Sequence, residues 1–489
     1  MARDHIRFLL NGEEIVTDDV RPDDTLLDFL RLRCGLVGTK EGCAEGDCGA
    51  CTVLVGRLVN GELVYEGVNA CIRFLASVDG CHVVTVEHLK RPDGTLHPVQ
   101  QALVDHHGSQ CGFCTPGFVM GLYALWMRAP DPSDEQVETA LQGNLCRCTG
   151  YQPIVAAAKA VSSYGSASSD PLVAERAAVT DRLAAWQDGE RVEMGEGAQR
   201  LIIPISADDL AEVYEAEPTA TIVAGATDVG LWVTKQMRDI APVIFTGGLN
   251  ELRHIRRADG AISVGAGVSY TQARSELAAA IPGFGPLIDR IGGDQVRNMG
   301  TVGGNIANGS PIGDMPPPLI ALGATLTLRK ADTRRSMPLE DFFMDYGRQD
   351  RQAGEFVECI DVPLPAAGAH FAAYKVTKRR DEDITAVLGA FYLERAGDGS
   401  VAAIRIAYGG MAATPKRASS VEAALAGRPW TLANVEAAME AYSSDFTPIS
   451  DMRASAAYRM LVARNLLKRF FIETTGTAKP FTVKRHEAA

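Results

Sequence analysis

Ten of the eleven cysteines lie between Cys34 and Cys148, and eight of the ten fall into two groups of four. The first group is Cys43-x4-Cys48-x2-Cys51 followed by Cys71, the plant-type spacing of a [2Fe–2S] ligand set. No other feature constrains the fold as much. Three thiolates from one loop must converge on a cluster, so the loop 41–51 has to curl back on itself with little side-chain bulk. Its glycines Gly42, Gly46 and Gly49 permit unusual φ angles. They also let backbone N–H groups point at sulfur, which tunes a reduction potential. A structural zinc site prefers two short-spaced pairs on separate knuckles and fits this run poorly.

The second group is Cys111-x2-Cys114 with Cys146-x-Cys148. On spacing alone it suits zinc as well as an iron–sulfur cluster. Its surroundings favour the cluster. Pro116 is suited to the first turn of a helix, and Phe118, Leu122, Leu125 and Trp126 give that helix an apolar face. Ser133 and Gln136 have capping-box spacing and open a second helix that leads to Cys146. Two antiparallel helices would bring their cysteine-bearing ends together. Arg147, between two ligands, either offsets the cluster's negative charge or faces solvent. Cys34, Cys81 and Cys359 remain and read as buried core thiols.

Around the first loop, residues 6–10 and 14–16 flank Asn11-Gly12, a hairpin signal. Residues 26–32 read as a short helix and 52–55 as a strand, so the first ~85 residues form a small β-rich module. A chain of 489 residues, at about 150 residues per domain, should hold three or four domains. Hydrophobic residues make up 46% and charged residues 22%, as in ordinary folded protein. The net charge of −13 argues against nucleic acid or anionic lipid as a partner. The longest uncharged run, 108–127, is interrupted by Gln110 and Pro116 and is too broken to span a bilayer. The start, Met1-Ala2-Arg3-Asp4-His5, lacks a secretory apolar segment. A cytoplasmic location is expected, in which the cysteines serve metal or redox chemistry rather than disulfides.

After Val161 the composition changes. Residues 162–171 read as a flexible small-residue linker, a helical pattern runs to about Trp186, and a new apolar pattern begins near Leu201. Two glycine-rich turns follow, over 221–230 and 295–314. A dinucleotide pyrophosphate needs backbone N–H donors and close approach, which glycine permits, and two such loops can grip it from both sides. Either loop alone reads more often as a plain turn. Gly265-Ala266-Gly267 opens a Rossmann fingerprint, but Tyr270 stands at its third glycine, so a nucleotide here needs another fold. The charge run 378–383 reads as a solvated loop. The last helix carries Met460, Ala463, Leu467 and Phe470 at spacings of three and four, an internal packing stripe.

The cysteine segments, including Ser109-Gln110-Cys111-Gly112-Phe113-Cys114-Thr115-Pro116-Gly117 and Gly143-Asn144-Leu145-Cys146-Arg147-Cys148-Thr149-Gly150-Tyr151, closely resemble the iron–sulfur part of the molybdenum hydroxylases. That family includes xanthine dehydrogenase, aldehyde oxidase and carbon monoxide dehydrogenase. The two glycine-rich segments look like the FAD loops of its flavin domain, and the resemblance covers nearly the whole chain. It implies an α+β multidomain chain. A β-grasp ferredoxin-like [2Fe–2S] domain would span 1–85 and a helical-bundle [2Fe–2S] domain 86–161. After a linker over 162–198, a non-Rossmann, PCMH-like α+β FAD-binding domain would span 199–366 and a C-terminal α+β flavoprotein domain 367–478.

The resemblance also implies the ligands. One cluster would be held by Cys43, Cys48, Cys51 and Cys71, the other by Cys111, Cys114, Cys146 and Cys148. Residues Ile222, Val223, Ala224, Gly225, Ala226, Thr227, Asp228 and Val229 would hug the FAD pyrophosphate. Ile291, Thr301, Asn305, Asn308 and Asp314 would contact FAD, and Val357 and Lys375 would lie near the isoalloxazine. Lys375, which by itself reads as a surface lysine, would there stabilise an anionic reduced flavin. Tyr346 and the run 378–383 would border the NAD side, and Gln110 and Cys148 the pterin of a partner. The function so implied is the electron-transfer subunit of a xanthine dehydrogenase. Electrons from hypoxanthine or xanthine oxidation to urate would pass from a molybdenum–pterin centre through both clusters to FAD and then NAD. The molybdenum cofactor would sit on a separate large subunit, two copies of each chain forming a heterotetramer, and this chain would carry no catalytic acid–base pair. A relative acting on aldehydes or other N-heterocycles, or a freestanding iron–sulfur flavoprotein reductase, would show the same pattern on this chain.

Overall fold

The computed structural model describes residues 2–91 and 93–476; the last two positions of the domain expected to end at 478 lie outside the described residues. The chain divides into two compact units. One runs to Asn250 and takes in Gly292–Gly300, and the other comprises Glu251–Ile291 and the chain from Thr301 on.

In the first unit, β1 (Ile6–Leu10) and β2 (Glu13–Thr17) form the expected antiparallel hairpin. It turns at Asn11, φ 59°, and Gly12, φ 145°. Ile6, Phe8 and Leu10 enter the core while Glu13 and Glu14 face solvent. Strands β3 (Thr52–Val59), β4 (Glu62–Asn69) and β5 (His82–Val84) complete a sheet ordered β2-β1-β5-β3-β4. Only β1 and β5 run parallel. The helical segment Leu26–Asp28, continued by Phe29–Arg33, buries Leu26, Leu27 and Leu30 in the same core. This is the β-grasp arrangement.

His82 is fully buried, its Nδ1 2.7 Å from the Tyr65 hydroxyl, and burial pushes its pKa down to about 4. An unfolded histidine titrates near 6.5, so below that pH the unfolded chain binds a proton the folded chain refuses. The contribution to stability is complete above about pH 6.5 and is lost as pH falls toward 4. Between pH 7 and 5 the protein is expected to lose about 2 kcal/mol more than a His82→Gln variant. Urea unfolding at the two pH values checks this, and parallel profiles would refute it.

Four helices follow: α1 (Pro98–Asp105), α2 (Thr115–Arg128), α3 (Asp134–Ala140) and α4 (Gln152–Ala160). Pro116 sits in the first turn of α2, and Phe118, Leu122, Leu125 and Trp126 are buried. Ser133 and Gln136 form the reciprocal capping box of α3. The stretch 162–171 differs from the flexible linker expected of it. Ser162 Oγ accepts the Trp126 indole N–H at 3.1 Å. Buried Asp170 accepts the Tyr123 hydroxyl at 2.6 Å, and its other oxygen lies 2.8 Å from His97 Nε2. Small residues signal tight packing as readily as mobility: a Cβ on Gly165 would come within 2.7 Å of Pro98.

The first unit closes with a small sheet ordered β6-β7-β9-β8, made of β6 (Val192–Met194), β7 (Leu201–Ile203), β8 (Thr221–Val223) and β9 (Val243–Phe245). Strands β7, β9 and β8 are parallel. Helices α5 (Thr227–Thr234) and α6 (Asp294–Met299) belong here too. Val192, Leu201, Val223, Val243 and Phe245 share one core with the β-grasp strands.

The second unit holds a fully antiparallel sheet of β10 (Ile255–Ala258), β11 (Ala261–Gly265), β12 (Thr325–Lys330), β13 (Thr333–Pro338) and a later strand, with helix α7 (Val302–Ala307) beside it. A short hairpin, β14 (Phe343–Asp345) and β15 (Arg348–Gln349), precedes that strand, β16 (Phe356–Pro363), which fits between β11 and β12. The C-terminal sheet is β17 (His370–Val376), β18 (Val387–Arg395), β19 (Val401–Gly409) and β20 (Lys416–Arg417), in that order. Helix α8 (Ala456–Thr475) lays Ala463, Leu467 and Phe470 against it, with Met460 at the margin, so the predicted stripe is internal. Of the leftover thiols Cys81 is buried as expected, but Cys34 and Cys359 are only half-buried. Cys34 closes an exposed helix end and Cys359 lies on one face of a sheet strand. No helix among the described residues is long and apolar enough to cross a membrane.

Candidate functional site

The loop before β3 owes its shape to three residues with left-handed backbones: Ala44, Gly46 and Gly49, at φ 53°, 81° and 68°. These turns aim the N–H groups of Glu45, Asp47 and Cys48 at Cys43 Sγ, each at 3.4 Å. Cys51 and Cys71 are buried with their sulfurs 3.2 Å apart. Hydrogen bonds from the Cys48 and Cys71 side chains hold the Cys43 thiol far below its ordinary pKa, and the same contact drives Cys48 up. All four thiols of the first group therefore meet.

The second group also assembles. Cys111 takes a hydrogen bond from the Phe113 backbone and one from the Cys148 side chain. Cys114 is raised to about 12 by burial and by its contact with Cys146. Cys146 Sγ lies 3.1 Å from Thr149 Oγ1. Cys146 is buried while Cys111 and Cys148 are exposed, as is Arg147. Among the described residues no group of three or more His, Cys, Asp or Glu side chains is placed to hold a single metal ion. A bridged pair of irons takes four thiolates, two on each iron, and both groups fit that demand.

The two loops touch through bare backbone. A Cβ on Gly49 would stand 2.1 Å from the Gly143 carbonyl oxygen, and one on Gly117 2.1 Å from the Gly49 carbonyl oxygen. The Leu145 N–H donates to the Cys48 carbonyl at 3.0 Å, so one hydrogen bond links a residue of the first group to the neighbour of Cys146. Gln295, from α6, donates to Asn144 Oδ1 at 2.9 Å and to Thr52 Oγ1 at 3.0 Å.

The first glycine-rich loop joins β8 to α5 through Ala226 in the left-handed region, φ 61°. Val223 and Ala226 are buried, Asp228 is exposed, and Ile222, Ala224, Gly225, Thr227 and Val229 lie between. Gly225 abuts the Met299 carbonyl so closely that a Cβ would sit 1.8 Å from its oxygen. Helix α5 then packs on the first cysteine group. A Cβ on Gly230 would be 2.7 Å from Ile72, beside Cys71, and Thr234 Oγ1 donates to the Ala44 carbonyl at 2.7 Å.

In the second unit, buried Thr301 caps α7 by accepting the Gly304 N–H at 3.0 Å. Asn305 Oδ1 accepts the Met315 N–H at 3.0 Å, and Asn308 is exposed at the end of α7. Ile291 and Val357 are buried. Lys375 is not a surface lysine. It is 8% exposed, its Nζ 2.6 Å from Asp314 Oδ2 and 3.0 Å from the Arg290 carbonyl, while the other Asp314 oxygen accepts the Thr385 hydroxyl. Asp314 neutralises the ammonium and so lets it be buried. Tyr346 is 74% exposed on the β14–β15 hairpin. In the run 378–383 Lys378, Arg379 and Arg380 are exposed while Asp381, Glu382 and Asp383 are half-buried, and Lys378 reaches the Met452 carbonyl at 2.6 Å.

Two thiol quartets on a β-grasp and a helical domain, followed by an α+β module with glycine-rich loops, define an iron–sulfur flavoprotein. Comparison with known proteins agrees. Residues 8–74 match the 2Fe-2S iron–sulfur cluster binding domain and 85–159 the [2Fe-2S] binding domain. Residues 196–365 match the FAD binding domain in molybdopterin dehydrogenase, and 372–474 the CO dehydrogenase flavoprotein C-terminal domain. The chain belongs to the molybdenum hydroxylase family, of which it carries the iron–sulfur and FAD domains. It is similar to xanthine dehydrogenase of Emericella nidulans, 34% identical over 96% of this chain and 38% of that protein. It is also similar to xanthine dehydrogenase/oxidase of Gallus gallus, 30% identical over 87% of this chain and 37% of that one. The chain thus spans well under half the length of these relatives. Among solved structures it resembles a chain of carbon monoxide dehydrogenase from Hydrogenophaga pseudoflava, with a TM-score of 0.53 and 28% identity over 57% of this chain and 97% of that chain. A chain of quinoline 2-oxidoreductase from Pseudomonas putida gives a TM-score of 0.52 and 25% identity over 56% and 96%.

Asn69 lies outside every segment singled out in the sequence, and Asn144, Gln295 and Met299 lie inside such segments with no role assigned to them there. Asn144, Gln295, Met299 and Asn69 are neither ligands nor part of any spacing rule. The one available signal was their position, each within four residues of a cysteine or glycine motif.

Proposed function

We propose that this chain is the electron-transfer subunit of a molybdenum hydroxylase of the xanthine dehydrogenase type. The observation that carries the reading is the assembly of eight thiols into two quartets whose loops touch, with the helix of a glycine-rich loop packed behind the first. When bound, two [2Fe–2S] clusters would pass single electrons from the molybdenum–pterin centre of a large partner subunit to FAD, which delivers them in pairs to NAD. The chain's own residues hold and shield these groups. Cys111, Cys114, Cys146 and Cys148 form the outer, partly exposed ligand set, and Cys43, Cys48, Cys51 and Cys71 the inner one. Backbone from Ile222 to Val229 receives the pyrophosphate, Thr301, Asn305, Asn308 and Asp314 contact FAD, and Val357 and Lys375 lie toward the flavin ring. Xanthine and hypoxanthine are the proposed substrates of the complex, and two copies of each chain its composition. The likeness to a chain of quinoline 2-oxidoreductase favours, as a second reading, a partner acting on another N-heterocycle, and a partner acting on an aldehyde would leave the same residues on this chain.

Metal and flavin analysis of the copurified complex tests this. Two irons per cluster give four per copy of this chain, with one FAD, and molybdenum on a second, larger chain. Two irons only would remove one cluster, and an NADH-oxidising chain that purifies alone would make it a freestanding reductase. Cys148→Ser is expected to abolish the paramagnetic signal of one cluster and spare the other. Two unchanged signals would remove Cys148 from the ligand set. Urate formation against aldehyde oxidation by the complex separates the two substrate readings.

A further inference from the structure

We propose that Asn69 sets the reduction potential of the first cluster by donating its side-chain amide to the Cys51 sulfur, and that Met299 holds it in that pose. The inference rests on the reading of Cys51 as a cluster ligand. Asn69 ends β4 and is completely buried. Its Nδ2 lies 3.8 Å from Cys51 Sγ, and its backbone N–H donates to Met299 Sδ at 3.4 Å. Its Oδ1, shut away from solvent, has no hydrogen-bond partner among the described residues.

A buried amide with an orphaned oxygen is costly, and leucine, with the same branched skeleton, would avoid the cost. What asparagine offers and leucine does not is the N–H on sulfur. The amide orientation follows from the chemistry: turned over, Oδ1 would face a thiolate, and two acceptors repel. Pairing of Asn69 with Thr52 across β3 and β4 fixes the backbone on one side, and the Met299 thioether fixes it on the other. The carbonyl of Met299 is the one that Gly225 abuts, so the donor's position is tied to the glycine-rich loop. A hydrogen bond to a ligand sulfur favours the more negative, reduced state, and burial strengthens it because no water competes. Asn69 is therefore a positioning and tuning residue, acting through Cys51.

The test is a redox titration of the purified holo complex followed by electron paramagnetic resonance, with Asn69→Leu and Asn69→Asp beside the unaltered protein. The signal lost in Cys51→Ser marks the first cluster. Asn69→Leu is expected to shift the reduction equilibrium of that cluster about tenfold toward the oxidised form, which for a one-electron couple is about 59 mV. Asn69→Asp, which sets a carboxylate against the sulfur, should shift it further, while the second cluster stays within about twofold. Full iron content with an unmoved first potential in both variants would overturn the proposal. So would loss of the first cluster's iron from both, since Asn69 would then serve assembly and not tuning. An unaltered protein with no iron at Cys51 would instead overturn the ligand assignment on which the proposal stands.

Discussion

Gly225→Ala is expected to cost the chain its flavin. The added methyl would stand 1.8 Å from the Met299 carbonyl oxygen, whereas ordinary contact begins near 3.4 Å. The obstacle is backbone, with no flexible side chain to swing aside, so either the 222–226 loop or the 299–300 turn must move. Overpacking of this kind costs up to about 3 kcal/mol, which is about a hundredfold in affinity if it falls on the bound state. The measurement is FAD titration of the deflavinated protein by fluorescence. Gly248→Ala is the control, because a methyl there meets nothing within 4 Å. Equal affinity for the two variants would remove the 222–229 loop from the pyrophosphate site.

Gly49→Ala is expected to loosen both cluster loops at once. Gly49 sits at φ 68°, where an L-residue costs about 1–2 kcal/mol. Its methyl would lie 2.1 Å from the Gly143 carbonyl oxygen and 2.6 Å from Asn144 Nδ2, adding about 1–3 kcal/mol. Gly61→Ala separates the two costs, since Gly61 has φ 84° and nothing within 4 Å. It should lose only the backbone part. Denaturant unfolding followed by the visible absorption of the clusters should show Gly49→Ala losing about 2 kcal/mol more than Gly61→Ala, with iron falling in both quartets. Equal losses would mean that the contact between the loops contributes nothing.

Much of this molecule was legible before any coordinates. Asn11-Gly12 announced a hairpin because only such residues accept its backbone twist, and Ser133 with Gln136 announced a helix start because the bonds involved span three residues. The meeting of the eight thiols was legible for the same reason: three of the first quartet come from one short loop, and the second quartet is two closely spaced pairs. The stretch 162–171 was misread because small residues permit both freedom and close approach, and only the partners His97, Tyr123 and Trp126 reveal which applies. Lys375 was misread by composition for a related reason. A lysine stays charged in the interior where a carboxylate meets it, and Asp314 is sixty-one residues away in the chain.

What the amino-acid order determined by itself was local: turns, caps, cysteine spacing and the glycine loops, all governed by interactions reaching a few residues along the backbone. The tertiary structure alone decided which backbones touch. Gly49 against Gly143 and Gly225 against Met299 are contacts between segments remote in the chain, and the Asn69 amide meets Cys51 across the open end of the β3–β4 hairpin. Their geometry is set by the packing of whole sheets and helices, and no spacing rule encodes it.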